Sequence, residues 1–297
     1  MRRSGSYASR ILSIVLLFIP SAMPGQAGQV KAQADTVAAS DISGRSKHSF
    51  YAGSGYGSNM IYLGSTISRN QPYGYGSLIY GFDSELYASF SAVHLSGLKP
   101  FVSFYIGAIS YSHVFNSWFD ISAGIYRYEV EPSLSDTLFG DFTYSDLTLG
   151  FDWRLIYTKL SLGGLFSEEN QAYFQIRNSR YFKTPEFSRK DAFVSFDPYV
   201  NLLFGTIITA ETSTETFTTP SGPGRKWRIF NLPSGTSTIY KRKSGLMEID
   251  FGIPVAFNGN IITIEAETAY VLPMYDDSYY PGSKGFIFLL SAIFRIF

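Results

Sequence analysis

From residue 245 to residue 257 the chain alternates between apolar and polar or small positions with a period of two. Met247, Ile249, Phe251, Ile253, Val255 and Phe257 fall on one side, and Glu248, Asp250, Gly252, Pro254 and Ala256 on the other. Asn258-Gly259-Asn260 breaks the pattern. It then resumes, with Ile262, Ile264, Ala266, Tyr270 and Leu272 set against Thr263, Glu265 and Glu267. A third run occupies 285–297, where Phe286, Phe288, Leu290, Ala292, Phe294 and Ile296 form the apolar row. Strict alternation predicts β-strands with one oily and one wet side. The charges on the wet side make lipid the expected cover for the oily one.

The same pattern recurs upstream and predicts nine more strands, over 49–63, 73–82, 86–95, 101–115, 118–130, 142–153, 157–166, 172–182 and 192–204. Connections near 83, 116, 154 and 258 are short, and those near 64, 131, 209 and 273 are longer. The longest, 209–243, is rich in Thr, Ser, Gly and Pro. Even strand number with short turns at one end and long loops at the other is the signature of a transmembrane barrel. The expected fold is all-β, a closed antiparallel up-and-down barrel of about twelve strands. A soluble sandwich would also alternate, but would expose fewer aromatics.

Composition sharpens this choice. Aromatics make up 17% of the 297 residues and charged residues 16%, against about 25% charged in soluble domains. The formal net charge of +0 lacks the basic footprint that nucleic acid requires. With no cysteine, disulfide scaffolds, thiolate metal sites and thiol catalysis are excluded. At the start of the chain Arg2, Arg3 and Arg10 lead into an apolar run over 11–19, too short for the roughly 20 residues of a membrane helix. The expected division is a secretory signal peptide over 1–34, cleaved after Ala34 or alternatively Ala27, a flexible lead-in over 35–47 and the barrel over 48–297.

Signal, aromatic alternation and a final phenylalanine together resemble bacterial outer-membrane β-barrel proteins. The closing hairpin is similar to that of an uncharacterised family of about twelve strands, through Gly245, Leu246, Phe251, Pro254 and Val255. The resemblance implies insertion by the barrel-assembly machinery, which reads a terminal aromatic such as Phe297. Counting back in twos from Phe297 meets Arg295 and Ser291, so the even row is expected to face lipid.

The wet rows place Glu248, Asp250, Glu265 and Glu267 inside the barrel, facing Arg295. Asp197, Asp152, Arg154 and Lys159 are expected further round, with Asp146 and Arg177. Charges in a narrow lumen require partners, so this set reads either as an ion-pair plug or as a cation-biased constriction. Trp118 and Trp153, with Tyr279 and Tyr280 at the opposite rim, are the expected aromatic girdle. Arg225, Lys226 and Arg228 in the longest loop are candidates for the phosphates of lipopolysaccharide. His48, His94 and His113 are the only histidines. None has an acid and a serine beside it in sequence, and none shares ligand spacing with another. The sequence therefore points to an integral barrel of the cell outer membrane without a cofactor, monomeric or weakly oligomeric. It is read as a small passive pore or structural barrel with a charged lumen; a lipid- or acyl-acting barrel hydrolase and a surface-binding adhesion barrel are the alternatives.

Overall fold

The computed structural model describes residues 47–135, 138–167, 170–187, 192–212, 216–220, 238–275 and 284–297. Twelve strands form one wall: β1 (His48–Gly57), β2 (Tyr73–Phe82), β3 (Leu86–Leu95), β4 (Phe104–Asn116), β5 (Phe119–Val130), β6 (Phe142–Asp152), β7 (Tyr157–Phe166), β8 (Gln171–Ser179), β9 (Tyr199–Thr212), β10 (Thr238–Asn258), β11 (Ile262–Pro273) and β12 (Gly285–Arg295). Each pairs antiparallel with its sequence neighbours, and β12 pairs with β1 from Tyr51↔Arg295 to Gly57↔Leu289. This closes an up-and-down barrel, which leaves no sheet edge in lipid. Several strands are ten residues long, matching the ~9–11 needed to span a bilayer at a tilt. Below its last strand the chain stays in the wall, with Phe50 donating to the Phe297 carbonyl at 3.0 Å and Ile296 to that of Phe50 at 2.8 Å.

The outward rows are apolar all round the wall. Phe90, Ile109, Ile125, Leu147, Leu162, Phe251, Ile253, Phe286 and Leu290 are all exposed. On β12 the even row points out, as the alternation predicts. At the end of the barrel where the wall starts at His48 and ends at Phe297, Phe115, Phe119, Phe151 and Trp153 stack in a string, with Trp118 against Phe119. Trp118 and Trp153 are exposed there. Tyr279 and Tyr280 lie outside the described residues.

Several elements differ from the sequence reading. The ninth strand, expected over 192–204, is interrupted at Asp197-Pro198 into a short strand Phe193–Phe196, paired with β10, and β9. The first strand stops at Gly57 instead of continuing to residue 63. Residues 58–72 turn back into the barrel and form a small hairpin, Ile61–Tyr62 against Ser65–Thr66. Residues 209–243 are not all loop, because β9 and β10 stay paired up to Thr212↔Thr238, and Thr216–Pro220 folds back onto β9. Finally, Met247 belongs to the row expected to face lipid, yet it is fully buried inside. Leu203 pairs with Glu248 but Phe204 with Leu246, so Met247 is the extra residue of a β-bulge. The bulge turns Met247 and Glu248 into the lumen together and resets the alternation above them.

Candidate functional site: the divided lumen

At the loop end the inward hairpin is packed as densely as a soluble core. Met60, Tyr62, Leu63 and Ile67 are buried against Tyr126, Tyr128, Phe142, Tyr144, Leu203 and Met247. The Tyr62 ring lies 5.2 Å from Tyr128, 5.5 Å from Phe142 and 5.9 Å from Tyr144. Leu134 and Phe139, from the loop after β5, fold in beside them. The hairpin tip is Leu63-Gly64, both at positive φ. A Cβ on Gly64 would press on Met247 at 3.1 Å, so backbone conformation and close contact both call for glycine there. The base is fixed by side chains, with Asn59 accepting from Thr66 at 2.8 Å and Ser68 at 2.7 Å while Ser68 accepts from the Met60 amide at 2.9 Å. From the last loop, Tyr275 donates to the Gly64 carbonyl at 2.5 Å.

Nearer His48 and Phe297 the lumen is mainly polar and its two walls differ. Across β1 to β5 many inward side chains are small, including Ser49, Gly53, Gly55, Ser77, Ser89, Ser91, Ser110, Ser112 and Ser122, while Tyr51, Ile79 and Tyr87 also point in and pack with Ile293 as a small apolar cluster. Of the small residues Ser49, Gly53, Gly55, Ser89 and Ser91 keep partial exposure although they face inward. The other wall carries the charge. Among the described residues the fully buried ionisable side chains with carboxyl or amino groups are Asp120, Asp146, Asp197, Glu248, Asp250, Glu265 and Glu267 against Lys159 alone. Half-buried Arg177, Asp152 and Arg295 add two cations and one further carboxylate.

Hydrogen bonds hold this wall in place. Gln175 Nε2 donates to Asn201 Oδ1 at 2.6 Å, and Asn201 Nδ2 donates to Asp250 Oδ2 at 2.8 Å, which fixes the orientation of the amide. Tyr199 donates to Glu267 Oε1 at 2.6 Å while the Arg177 guanidinium lies 3.7 Å from the centre of its ring. Tyr157 donates to Asp120 Oδ2 at 2.7 Å, and Thr148 to Ser161 at 2.7 Å. Glu248 Oε2 and Asp250 Oδ1 are buried without a hydrogen-bond partner among the described residues. Tyrosines reach across the wall by lying flat on glycines. Tyr73 covers Gly57, Tyr75 covers Gly55 and Tyr199 covers Gly252, each a directly paired residue whose Cβ would collide with the ring.

Of the lumen charges expected from the sequence, Glu248, Asp250, Glu265, Glu267, Asp197 and Lys159 are buried inside, and Asp152 and Arg295 face inward near the mouth. Arg154 is not in the lumen. It is exposed in the turn after β6 at φ 71°, its amide donating to Asp152 Oδ1 at 2.6 Å. A two-residue reach past the strand end put it in the turn, where alternation no longer applies. Arg225, Lys226 and Arg228 lie outside the described residues. The alternation does not reveal Asp120, Gln175 and Asn201 as network members, since each bond joins side chains on different strands, 26 to 49 residues apart. Nor does it reveal Glu85, in the turn after β2, whose Oε1 accepts from His113 Nδ1 at 2.8 Å. His94 Nδ1 lies 2.6 Å from the Phe101 carbonyl and His48 Nδ1 2.5 Å from the Tyr80 hydroxyl.

No protein-family model and no curated protein matches this sequence. Among solved structures the chain is similar in outline to the KdgM porin, at 9% identity and TM-score 0.44 over 83% of this chain and 98% of that one. It is similar to an outer-membrane channel from Pseudomonas putida F1 at 10% identity and TM-score 0.45 over 86% and 98%. LpxR from Salmonella typhimurium aligns at 6% identity and TM-score 0.43 over 82% and 99%. The barrel assignment rests on the strand pairings of this chain itself.

Proposed function

We propose that this protein is an outer-membrane pore that passes small cations through a lumen narrowed by its own first loop. The observation that carries this reading is the imbalance of buried charge, seven carboxylates against one lysine. Rings and rows of carboxylates are how pores favour cations. The small serine and glycine side chains opposite, around the cluster of Tyr51, Ile79 and Tyr87, supply the room for a hydrated path. A barrel of this size lies between side-chain-filled and open-channel dimensions, so the loop over 58–72 sets how much of it is open. In this reading the end with short turns faces the periplasm and the aromatic string over Trp118 and Trp153 lies at that interface. Outer-membrane lipid covers the apolar belt, and lipopolysaccharide meets the loop end.

The test is single-channel recording of the refolded protein across a potassium chloride gradient. A reversal potential of cation sign is expected, and it moves toward zero when Glu248→Gln and Asp250→Asn are combined. A purely structural barrel is the second reading, favoured by the dense packing of Tyr62 and its neighbours. It predicts no conductance steps in the full-length protein and none after deletion of 60–68.

A further inference from the structure

The outward rows are mostly apolar, with polar pairs such as His48–Tyr80 and Thr158–Asn178 toward the end that carries the aromatic string. Of these polar groups, the one on the outward side of β4 carries a carboxylate. Tyr111, His113 and Phe115 occupy the same outward row as Ile109. Glu85, in the turn where Asp83 and Ser84 both take positive φ, swings across to this row. Its Oε1 accepts from His113 Nδ1 at 2.8 Å and its Oε2 accepts from Tyr111 at 3.2 Å. His113 Nε2 has no partner among the described residues. The His113 ring meets Phe115 edge-on at 4.8 Å, and Trp118 follows in the next turn. This carboxylate and imidazole therefore sit at the level of the aromatic string, on the membrane side of Phe115, at about two-fifths exposure.

Ionisable groups on a lipid-facing wall are costly unless something polar covers them. At this depth the available cover is a lipid headgroup. With Nδ1–H committed to Glu85, the imidazole in its neutral form presents Nε2 as an acceptor, beside the Glu85 carboxylate. Two acceptors, one of them a carboxylate, fit a primary ammonium. The geometry points to a site for the primary ammonium of an aminophospholipid headgroup, held by Glu85 and His113. Choline carries no N–H to donate, and a glycerol headgroup leaves the carboxylate without a counter-charge. This inference rests on the reading that lipid surrounds the barrel.

Trp118 serves as the reporter. In a Trp153→Phe, Trp227→Phe background it is the only tryptophan, and its fluorescence is followed in phosphatidylcholine vesicles doped with dibrominated ethanolamine, choline or glycerol phospholipids. Ethanolamine lipid is expected to quench at about one-tenth the concentration of the other two, the preference that one charge-assisted hydrogen bond gives. Glu85→Gln is expected to abolish the preference and His113→Gln to weaken it, with heat-modifiable gel mobility showing that each variant is folded. Equal quenching by the three headgroups, stronger quenching by the glycerol lipid, or a preference that survives both substitutions overturns the proposal. Absence of quenching by any brominated lipid instead removes the membrane reading on which it rests.

Discussion

The loop-end half of the lumen and the half nearer His48 and Phe297 are enclosed by the same twelve strands, yet they are filled by opposite means. The first is occupied by an inward hairpin whose Met60, Tyr62, Leu63 and Ile67 pack against aromatic rows from the wall. The second contains no inserted segment among the described residues and is bridged mainly by polar side chains, from Gln175 through Asn201 to Asp250 and from Tyr199 to Glu267, beside a small apolar cluster of Tyr51, Ile79, Tyr87 and Ile293. Apolar packing is non-directional and tolerates no gap. A polar network is directional and leaves charge in reach of water and ions. Stability should therefore depend most on the first half, and ion preference on the second.

The largest effects are expected where the apolar half is emptied. Tyr62→Ala removes a fully buried ring in contact with three others, and about 3–5 kcal/mol of stability should go with it. Denaturant titration of the refolded barrel, followed by gel mobility, measures this loss. Deletion of 60–68 should raise single-channel conductance while leaving the sign of the reversal potential unchanged. If the deletion alters selectivity and not conductance, the division of roles between the two halves is wrong.

A smaller cost is expected in the polar half, with a larger change in selectivity. Asn201→Leu removes its bonds to Gln175 Nε2 and Asp250 Oδ2, costing about 1–3 kcal/mol for the buried Asp250 oxygen left unsatisfied. Its stability loss should be below that of Tyr62→Ala, while reversal potential shifts more than it does for Tyr62→Ala. Equal selectivity in both variants would mean that ions do not pass the Asn201 wall.

Much of the architecture was readable in the alternation, because a barrel in lipid ties side-chain period directly to environment. All twelve strands and the outward face of β12 follow from it, as does the inward face of β11 with Glu265 and Glu267. The period says nothing about where the chain leaves the wall. Met60-Ile61-Tyr62-Leu63 is apolar like the strand before it, so the inward hairpin is indistinguishable from continued strand until its packing partners are known. Pairings across many residues, such as Glu85 with His113 or Asn201 with Asp250, are likewise set by which strands become neighbours. Arg154 and Met247 fail for a third reason, since a turn and a bulge each reset the count.

Gly252→Ala tests the close approach that lets the wall tyrosines bridge. The added Cβ would meet the Tyr199 ring, displacing the hydroxyl from Glu267 and the ring from Arg177. Forcing a methyl into a filled site costs about 1–3 kcal/mol, the lower end being expected here because the ring can tilt toward the lumen. A double variant with Tyr199→Phe separates the two contributions. If the hydrogen bond to Glu267 is what is lost, Gly252→Ala costs less in the Tyr199→Phe background than in the native protein.

The smallest effect is expected at the border between the halves. Met247 is the bulge residue, so β10 sends both a core side chain and Glu248 inward at one level. Its packing against Gly64, Leu203 and Gly205 demands volume more than chemistry. Met247→Leu keeps that volume and the residue count, and should cost less than about 1.5 kcal/mol, with conductance and reversal potential unchanged. Removing a residue here changes the count instead of the chemistry. Without the bulge the pairing of Leu203 with Glu248 and of Phe204 with Leu246 cannot both be kept, so part of β10 must slip by one position. A slip below the bulge carries Glu248 and Asp250 toward lipid and Ile249 and Phe251 into the lumen. The two halves can thus differ so sharply in filling because one extra residue lets β10 serve a dry core above and an acidic wall below.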